Sequence, residues 1–276
     1  MKISVITPSY NQGKFIRRTL DSVLLNQDYT NIEHLVMDGL STDETIDILK
    51  EYKNRFKDKL IFISEKDKGQ SNAINKGFKK ASGEIIGWIN SDDYYEDKIF
   101  SFVVNYFKDN PDVDMLYGIC DVVDEHGKFV STIEEGYNFK KRKIDYREFK
   151  YDNLMNVYSG LIPQPAVFFR TSVFDKVGYL DESFNFVMDY EYWLRIGRKC
   201  KIKRVEKHLA NFRTHQEAKT TFPNRFKYFG ESLRARRKNG GGFSFRFYSY
   251  IGFLATKTVG RIVLTRLGIL KDRPLE

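Results

Sequence analysis

The sequence predicts an α/β protein built on a mostly parallel sheet flanked by helices, with a smaller second part and a helical tail. Three observations lead there. Strand-like and helix-like segments alternate through the first part of the chain, polar clusters recur where apolar strand runs stop, and the alternation breaks past about residue 122. With 276 residues, 41% hydrophobic and 15% aromatic, the chain can bury one sizeable core.

Lys2–Thr7 (KISVIT) reads as a first strand ended by Pro8, and Gly13–Leu25 as a helix with Phe15, Ile16, Leu20, Val23 and Leu24 on one stripe. Glu33–Met37 is a second strand. Ser41 stands three residues before Glu44, the spacing of a capping box, and opens the next helix. Leu60–Ser64, the helix Ser71–Lys80, the strand Glu84–Ile89, the helix Lys98–Lys108 and the strand Asp114–Cys120 follow. This order argues for parallel strands covered on both faces, with ligands bound beyond their carboxyl ends. Tyr10-Asn11, Asp38-Gly39 and Ser91-Asp92-Asp93 fall at those ends.

Beyond residue 122, Val122–Glu134 reads as a hairpin turning at His126-Gly127, and Lys140–Arg147 as a basic loop. Pro163–Phe169 and Ile202–Val205 read as added strands separated by the helix Tyr190–Arg198. A break near Pro223–Gly242 separates the final segment. The expected organisation is a main domain over residues 1–221, in halves 1–122 and 123–221, followed by a basic amphipathic tail over 222–276.

The net charge of +9 is uneven: from Arg195 onward there are 21 Lys+Arg against 5 Asp+Glu, and before it 25 against 32. A basic tail can meet nucleic acid, an anionic membrane face or phosphorylated substrates. In Phe243–Leu270, apolar residues interleave with Lys257, Arg261 and Arg266, as in a helix lying in a membrane interface, and Arg234, Arg236, Arg237 and Lys238 add positive charge upstream. The alternative is a helix packed on the domain's own core or on a partner in a homodimer. Cys120 and Cys200 lie far apart and form neither a disulfide framework nor a zinc motif. The N-terminus lacks a secretory pattern and no long apolar run spans a bilayer, so the expected location is cytoplasmic.

Asn90-Ser91-Asp92-Asp93 follows an apolar strand. Adjacent carboxylates repel unless a cation lies near, and Mg²⁺ or Mn²⁺ prefers such oxygen ligands and commonly bridges to a diphosphate. Taken alone, the pair is more often a capping turn. Asp38 can accept the imide N–H of a uracil ring while Gly39 lets backbone approach, although a polar turn explains Asp38-Gly39 and Asp67-Lys68-Gly69 as well. Asp189 opens a helix and is either an N-cap or a general base. His215 follows a strand, and a lone histidine is more often structural than a metal ligand.

The joint order of these segments carries more than any one of them. ITPSYNQGKFIRRTLDSVLLNQ at Ile6–Gln27, HLVMDGLSTDET at His34–Thr45, EKDKGQSNAINKGFKKASGEIIGWINSDD at Glu65–Asp93 and QPAVFFRTSVFDKVGYLDESFNFVMDYEYWLRI at Gln164–Ile196 resemble family 2 glycosyltransferases of the GT-A fold. The resemblance covers roughly residues 2–215 and is greatest to bacterial enzymes that build O-antigen, capsule or related surface polysaccharides.

It implies an inverting, metal-dependent transfer from a nucleotide-sugar, with uridine the favoured base, to a hydroxyl of a saccharide acceptor linked to polyprenyl diphosphate at the inner face of the plasma membrane. By resemblance, Pro8, Tyr10 and Asp38 hold the base, and Asp67 and Gly69 line the nucleoside pocket. Asp92 lies on the ribose side, Asp93 ligates Mn²⁺ or Mg²⁺, and His215 completes the metal or diphosphate site. Asp189 is the catalytic base. Where many members carry Glu-Asp this chain has Met188-Asp189, so the preceding acid is missing. Gln164 and Glu191 are assigned to acceptor contact, Gln164 alternatively to the diphosphate. Two rivals stand beside this reading. A sugar nucleotidyltransferase would show a Gly-rich basic loop after the first strand, which Ser9–Gly13 is not. A non-catalytic nucleic-acid or membrane binder would use the tail, whose apolar content favours lipid, so no nucleic-acid partner is expected.

Overall fold

The computed structural model describes residues 1–133, 148–156, 161–215 and 225–242, with positions 248, 249, 252, 256 and 260 of the C-terminal segment. The first part runs β1 (Ile3–Ser9), α1 (Gly13–Leu24), β2 (Ile32–Asp38), α2 (Thr45–Phe56), β3 (Leu60–Ser64), α3 (Gln70–Lys80) and β4 (Ile85–Trp88). Then come β5 (Tyr94–Tyr95), α4 (Phe100–Asp109), β6 (Met115–Val123), β7 (Phe129–Thr132), α5 (Tyr151–Asn156), β8 (Val167–Arg170), α6 (Val173–Val177), α7 (Met188–Lys199), β9 (Ile202–Arg213) and α8 (Arg225–Lys238).

The expected α/β architecture is present. One sheet has the order β3-β2-β1-β4-β8-β6-β9-β5, with β7 beside β6. From β3 to β4 every pairing is parallel. β1 and β2 are buried at every position, as befits strands covered on both faces. Because β1 has β2 on one side and β4 on the other, the strand order reverses there, and a crevice opens at the carboxyl ends of these strands.

Helical periodicity supplies the covering layers. α1 buries Phe15, Ile16, Leu20 and Val23, and Ile16 and Leu20 pack with Val36, Ile48, Leu49 and Tyr52. On the same sheet, Phe78 of α3, Trp88 of β4, Phe169 of β8 and Tyr192 and Trp193 of α7 share a second core. Burying side chains of this size contributes about 1.5–3 kcal/mol each.

Several local expectations change. The capping box at Ser41 and Glu44 does not form: the Ser41 hydroxyl donates to Asp38 Oδ1, while the N–H of Thr45 donates to Asp43 Oδ1 at 3.1 Å. The stretch expected as a break contains α8, which packs on α7 and buries Ser232, Ala235 and Arg236. The strand expected over Ile202–Val205 runs on to Arg213. The hairpin is formed by β6 and β7, with the N–H of Asp124 donating to the Lys128 carbonyl at 2.9 Å. The basic loop at residues 140–147 and most of the amphipathic segment at 243–270 lie outside the described residues.

Candidate active site

The crevice begins at the ends of β1 and β2, where Ser9 and Asp38 are register partners. Asp38 is 2% exposed, and its carboxylate accepts the N–H of Ser41 at 3.0 Å and the hydroxyl of Ser64 at 2.6 Å. It therefore fixes the loop after β2 against β3. Pro8 lies within β1, whereas Tyr10 just beyond is 60% exposed. Gly39 stands between Tyr10 and Asp67: a β-carbon there would lie 2.7 Å from Asp67 Oδ2 and 3.4 Å from Tyr10 Cδ2. Asp67 Oδ1 accepts the N–H of Gly69 at 2.8 Å, and Gly69 enters α3 at φ +112°, a conformation that favours glycine. Tyr10, Gly39, Asp67 and Gly69 thus meet beside Asp38 at this end of the sheet, next to Pro8, and Ser9 Oγ is buried with no hydrogen-bond partner among the described residues.

The second wall is the loop after β4. Asp93 is 1% exposed; Oδ1 accepts the N–H of Arg213 at 2.9 Å and Oδ2 accepts Asn90 Nδ2 at 3.1 Å. Burial, and then the charge of Asp92, push its carboxyl well above the usual range. Both oxygens of Asp93, which the resemblance implies as the metal ligand, are enclosed and hydrogen-bonded. The outward acid is Asp92, whose side chain is 22% exposed and whose Oδ2 lies 3.0 Å from His215 Nε2. The adjoining strand β5 pairs antiparallel with β9, Tyr94 opposite Asn211 and Tyr95 opposite Ala210, and so carries the end of β9 and His215 to the acids. Phe15 braces this junction, its ring 4.6 Å from that of His215 and 5.0 Å from the Arg213 guanidinium. Thr19 on α1 donates to the carbonyls of Ser91 and Asp93. Sequence reasoning missed Asn90, Thr19, Phe15 and Arg213; only Asn90, as the first residue of its motif, carried a signal.

Asp189 lies in the first turn of α7, half-buried, and Oδ1 accepts the N–H of Tyr190 at 2.8 Å. Burial raises its carboxyl to about 6, which suits a group that must accept a proton near neutral pH. The start of α3 joins this helix to the acid loop: Gln70 Nε2 donates to Asn90 Oδ1 at 2.9 Å, and the next residue, Ser71, donates to the Phe184 carbonyl at 2.8 Å and contacts Met188 Sδ.

Two expected acceptor contacts have other employment. Gln164 is 9% exposed; its Nε2 donates to the Trp88 carbonyl at 2.6 Å and its Oε1 accepts Asn90 Nδ2 at 3.0 Å, so it positions the acid loop from behind. Glu191 is fully buried and pairs with Arg195 and Lys238 at 2.9 Å each, tying α7 to α8.

Asp92 and His215 are hydrogen-bonded to one another at 3.0 Å, and a divalent cation held by both would take the place of that hydrogen bond. Among the described residues no three His, Cys, Asp or Glu side chains converge on one point.

The description Glycosyl transferase family 2 matches residues 4–178. An uncharacterized glycosyltransferase of Rickettsia prowazekii is 28% identical over 221 residues, 79% of this chain, and the match spans 65% of that protein's length. Among solved structures, S. aureus TarS 1–349 in complex with UDP superposes with a TM-score of 0.63 at 21% identity, covering 87% of this chain and 65% of that one. A mannosyltransferase from Pyrobaculum calidifontis, in complex with GDP-Man and Mn²⁺, gives 0.61 at 15% identity, covering 97% and 83%. At these identities the two structures establish the shared fold.

Proposed function

The chain belongs to glycosyl transferase family 2, and on that premise we propose that it moves a sugar from a nucleotide-diphosphate sugar to an acceptor hydroxyl with inversion. The observation that carries the proposal is the contact between Asp92 and His215 at the carboxyl end of the parallel strands. The solved relatives support a donor of this class, one holding UDP and the other GDP-Man with Mn²⁺.

In this reading Pro8, Tyr10, Asp38, Asp67 and Gly69 form the nucleoside pocket, Asp38 holding the loop after β2 in place. Asp92 and His215 hold Mn²⁺ or Mg²⁺, which supplies positive charge against the diphosphate when bound. Asp189 takes the proton of the acceptor hydroxyl as its oxygen bonds to the anomeric carbon from the face opposite the diphosphate. The carbon–oxygen bond to the diphosphate breaks in the same displacement, so an α-linked donor gives a β-linked product. One base suffices, because the diphosphate departs without a proton donor. A uridine donor and a lipid-linked saccharide acceptor of surface-polysaccharide synthesis complete the proposal, with the protein at the inner membrane face. Among the described residues no helix is long and apolar enough to cross a membrane. The nucleotidyltransferase alternative falls with the family match.

The test is a thermal-shift and calorimetric screen of nucleotide diphosphates and nucleotide-sugars with and without Mn²⁺. Metal-dependent stabilisation by one nucleotide is the expected result and names the donor class. Equal stabilisation by that nucleotide with and without metal would remove the cation, and no response to any nucleotide would remove the donor site.

A further inference from the structure

We propose that a cavity at the far end of α7 is a phosphate site, separate from the donor crevice and positioned to take the headgroup phosphate of an anionic membrane lipid. The cavity has a volume of about 420 Å³ and is lined by Val177 at the end of α6, by Arg195, Arg198 and Lys199 on α7, and by Asn239 just beyond α8. Three lining residues are cationic and none is acidic. Asp189 occupies the opposite end of α7, about 15 Å away at the rise of an α-helix.

The three cations are not equivalent. Arg195 forms the fixed wall: Glu191 neutralises it, and its guanidinium also donates to the carbonyls of Val177 and Tyr179. Arg198 Nη1 donates to the Asn239 carbonyl at 3.1 Å, and Lys199 Nζ to the Lys176 carbonyl at 2.9 Å. Among the described residues neither pairs with a carboxylate. Cations in the last turn of a helix offset its dipole, but that amounts to roughly half an elementary charge. Two full charges exceed it and leave the cavity positive. Arg198 keeps most of its N–H fork, the geometry that suits phosphate oxygens, and Lys199 keeps further donors.

Position then favours a lipid as the source of the phosphate. A β-carbon on Gly240 would lie 3.4 Å from Arg198 Nη1, so the chain leaving α8 passes the rim of the cavity and leads directly into the segment beginning at Phe243, with its interleaved Lys257, Arg261 and Arg266. Two α8 cations expected to attract headgroups are engaged elsewhere. Arg236 is 4% exposed and bonds to the carbonyls of Met155 and Gly242, and Lys238 pairs with Asp181 and Glu191. α8 keeps exposed charges at Lys227 and Arg237, and the cavity adds Arg198 and Lys199 to them. None of this rests on sugar transfer.

The test compares full-length wild type with Arg198→Gln/Lys199→Gln and with Lys227→Gln/Arg237→Gln, which removes two exposed charges outside the cavity. Flotation with phosphatidylglycerol-containing and pure phosphatidylcholine vesicles reports the lipid. Thermal shift with inorganic phosphate, against chloride at equal ionic strength, reports the free ion. We expect the cavity variant to lose ~10- to 30-fold of its partitioning to anionic vesicles, at about fivefold per basic residue near a membrane, with the outer variant much less affected. A phosphate shift lost only in the cavity variant, with equal flotation of both variants, keeps the phosphate site and assigns it a soluble ligand. Equal behaviour of the two variants in both assays overturns the proposal. Equal melting temperatures of wild type and both variants in chloride check folding separately.

Discussion

Asp92 Oδ2 and His215 Nε2 lie 3.0 Å apart although 123 positions separate them in the chain. β5 and β9 create the contact, because Tyr94–Tyr95 pairs with Asn211 and Ala210 on one side of the acids and His215 follows two residues past the end of β9. The partly exposed acid thus meets a buried imidazole, while Asp93 turns inward.

Asp92→Asn and His215→Ala are each expected to abolish Mn²⁺-dependent stabilisation by the donor nucleotide; Asp92→Asn should leave the melting temperature of the free protein nearly unchanged, whereas His215→Ala should lower it by emptying a buried site against Phe15. Asp93→Asn should do the reverse. An amide there sets one N–H against the N–H of Arg213 or of Asn90, costing about 1–3 kcal/mol, and metal dependence should persist in the protein that folds. Calorimetry on the three variants checks this. Loss of metal response in Asp93→Asn at unchanged stability would return the ligand role to Asp93.

Asp189→Asn should retain donor binding and lose transfer. In the wild type, kcat/KM should fall as pH drops through about 6, the value to which burial raises the carboxyl. Stability has the opposite sense. The folded form binds the proton more tightly than the unfolded chain, so the contribution is fully present below about 4 and is lost as pH rises through about 6. The Asn variant should therefore gain stability over wild type near pH 7.5, by up to about 3 kcal/mol, and match it near pH 4. Denaturant curves at the two pH values decide the matter; an equal difference at both would show that the carboxyl does not titrate in this way.

Asn90→Ala removes the amide that bonds both Asp93 and Gln164, leaving buried acceptors unpaired, and should cost about 1–3 kcal/mol. Because Gln70 also bonds Asn90, the cost should be accompanied by weaker donor affinity. Gln164→Ala should show the same two effects to a smaller degree. An altered acceptor KM with normal stability in Gln164→Ala would place that side chain at the acceptor instead.

Glu191→Ala strips the fully buried carboxylate from Arg195 and Lys238. Loss of one partner of a buried pair costs about 3–5 kcal/mol, here tempered by the partial exposure of Lys238. A large fall in melting temperature with unchanged nucleotide affinity is expected. A selective change in acceptor KM would restore the role that the resemblance gave it.

Gly39→Ala places a methyl group 2.7 Å from Asp67 Oδ2. The displaced carboxylate should release the N–H of Gly69 and weaken nucleoside binding by about tenfold, on the scale of one hydrogen bond to a charged group. Isothermal titration with the preferred nucleotide measures it; unchanged affinity would take Asp67 out of the pocket.

The sequence by itself determined the alternation of β1 to β4 and β6 with the helices between them, because short apolar runs and 3.6-residue stripes are local and each run ends in its own polar turn; the two-residue β5 it did not show. The polar ends of β1, β2 and β4 were legible for the same reason, and with them Tyr10, Asp38 and Asp92. Asp189 was recognisable as the head of a helix. What the sequence could not divide was labour between neighbours of like chemistry. Asp92 and Asp93 are chemically the same residue one position apart, and the N–H of Arg213, brought by pairing of β5 with β9, holds one of them inward together with the Asn90 amide. Gln164 and Glu191 look equally available as text, but one is held between Trp88 and Asn90 and the other between two helices. Strand pairing and helix docking across a hundred residues are set by the shape of the whole core, so tertiary structure alone decided which polar groups face the crevice and which hold its walls.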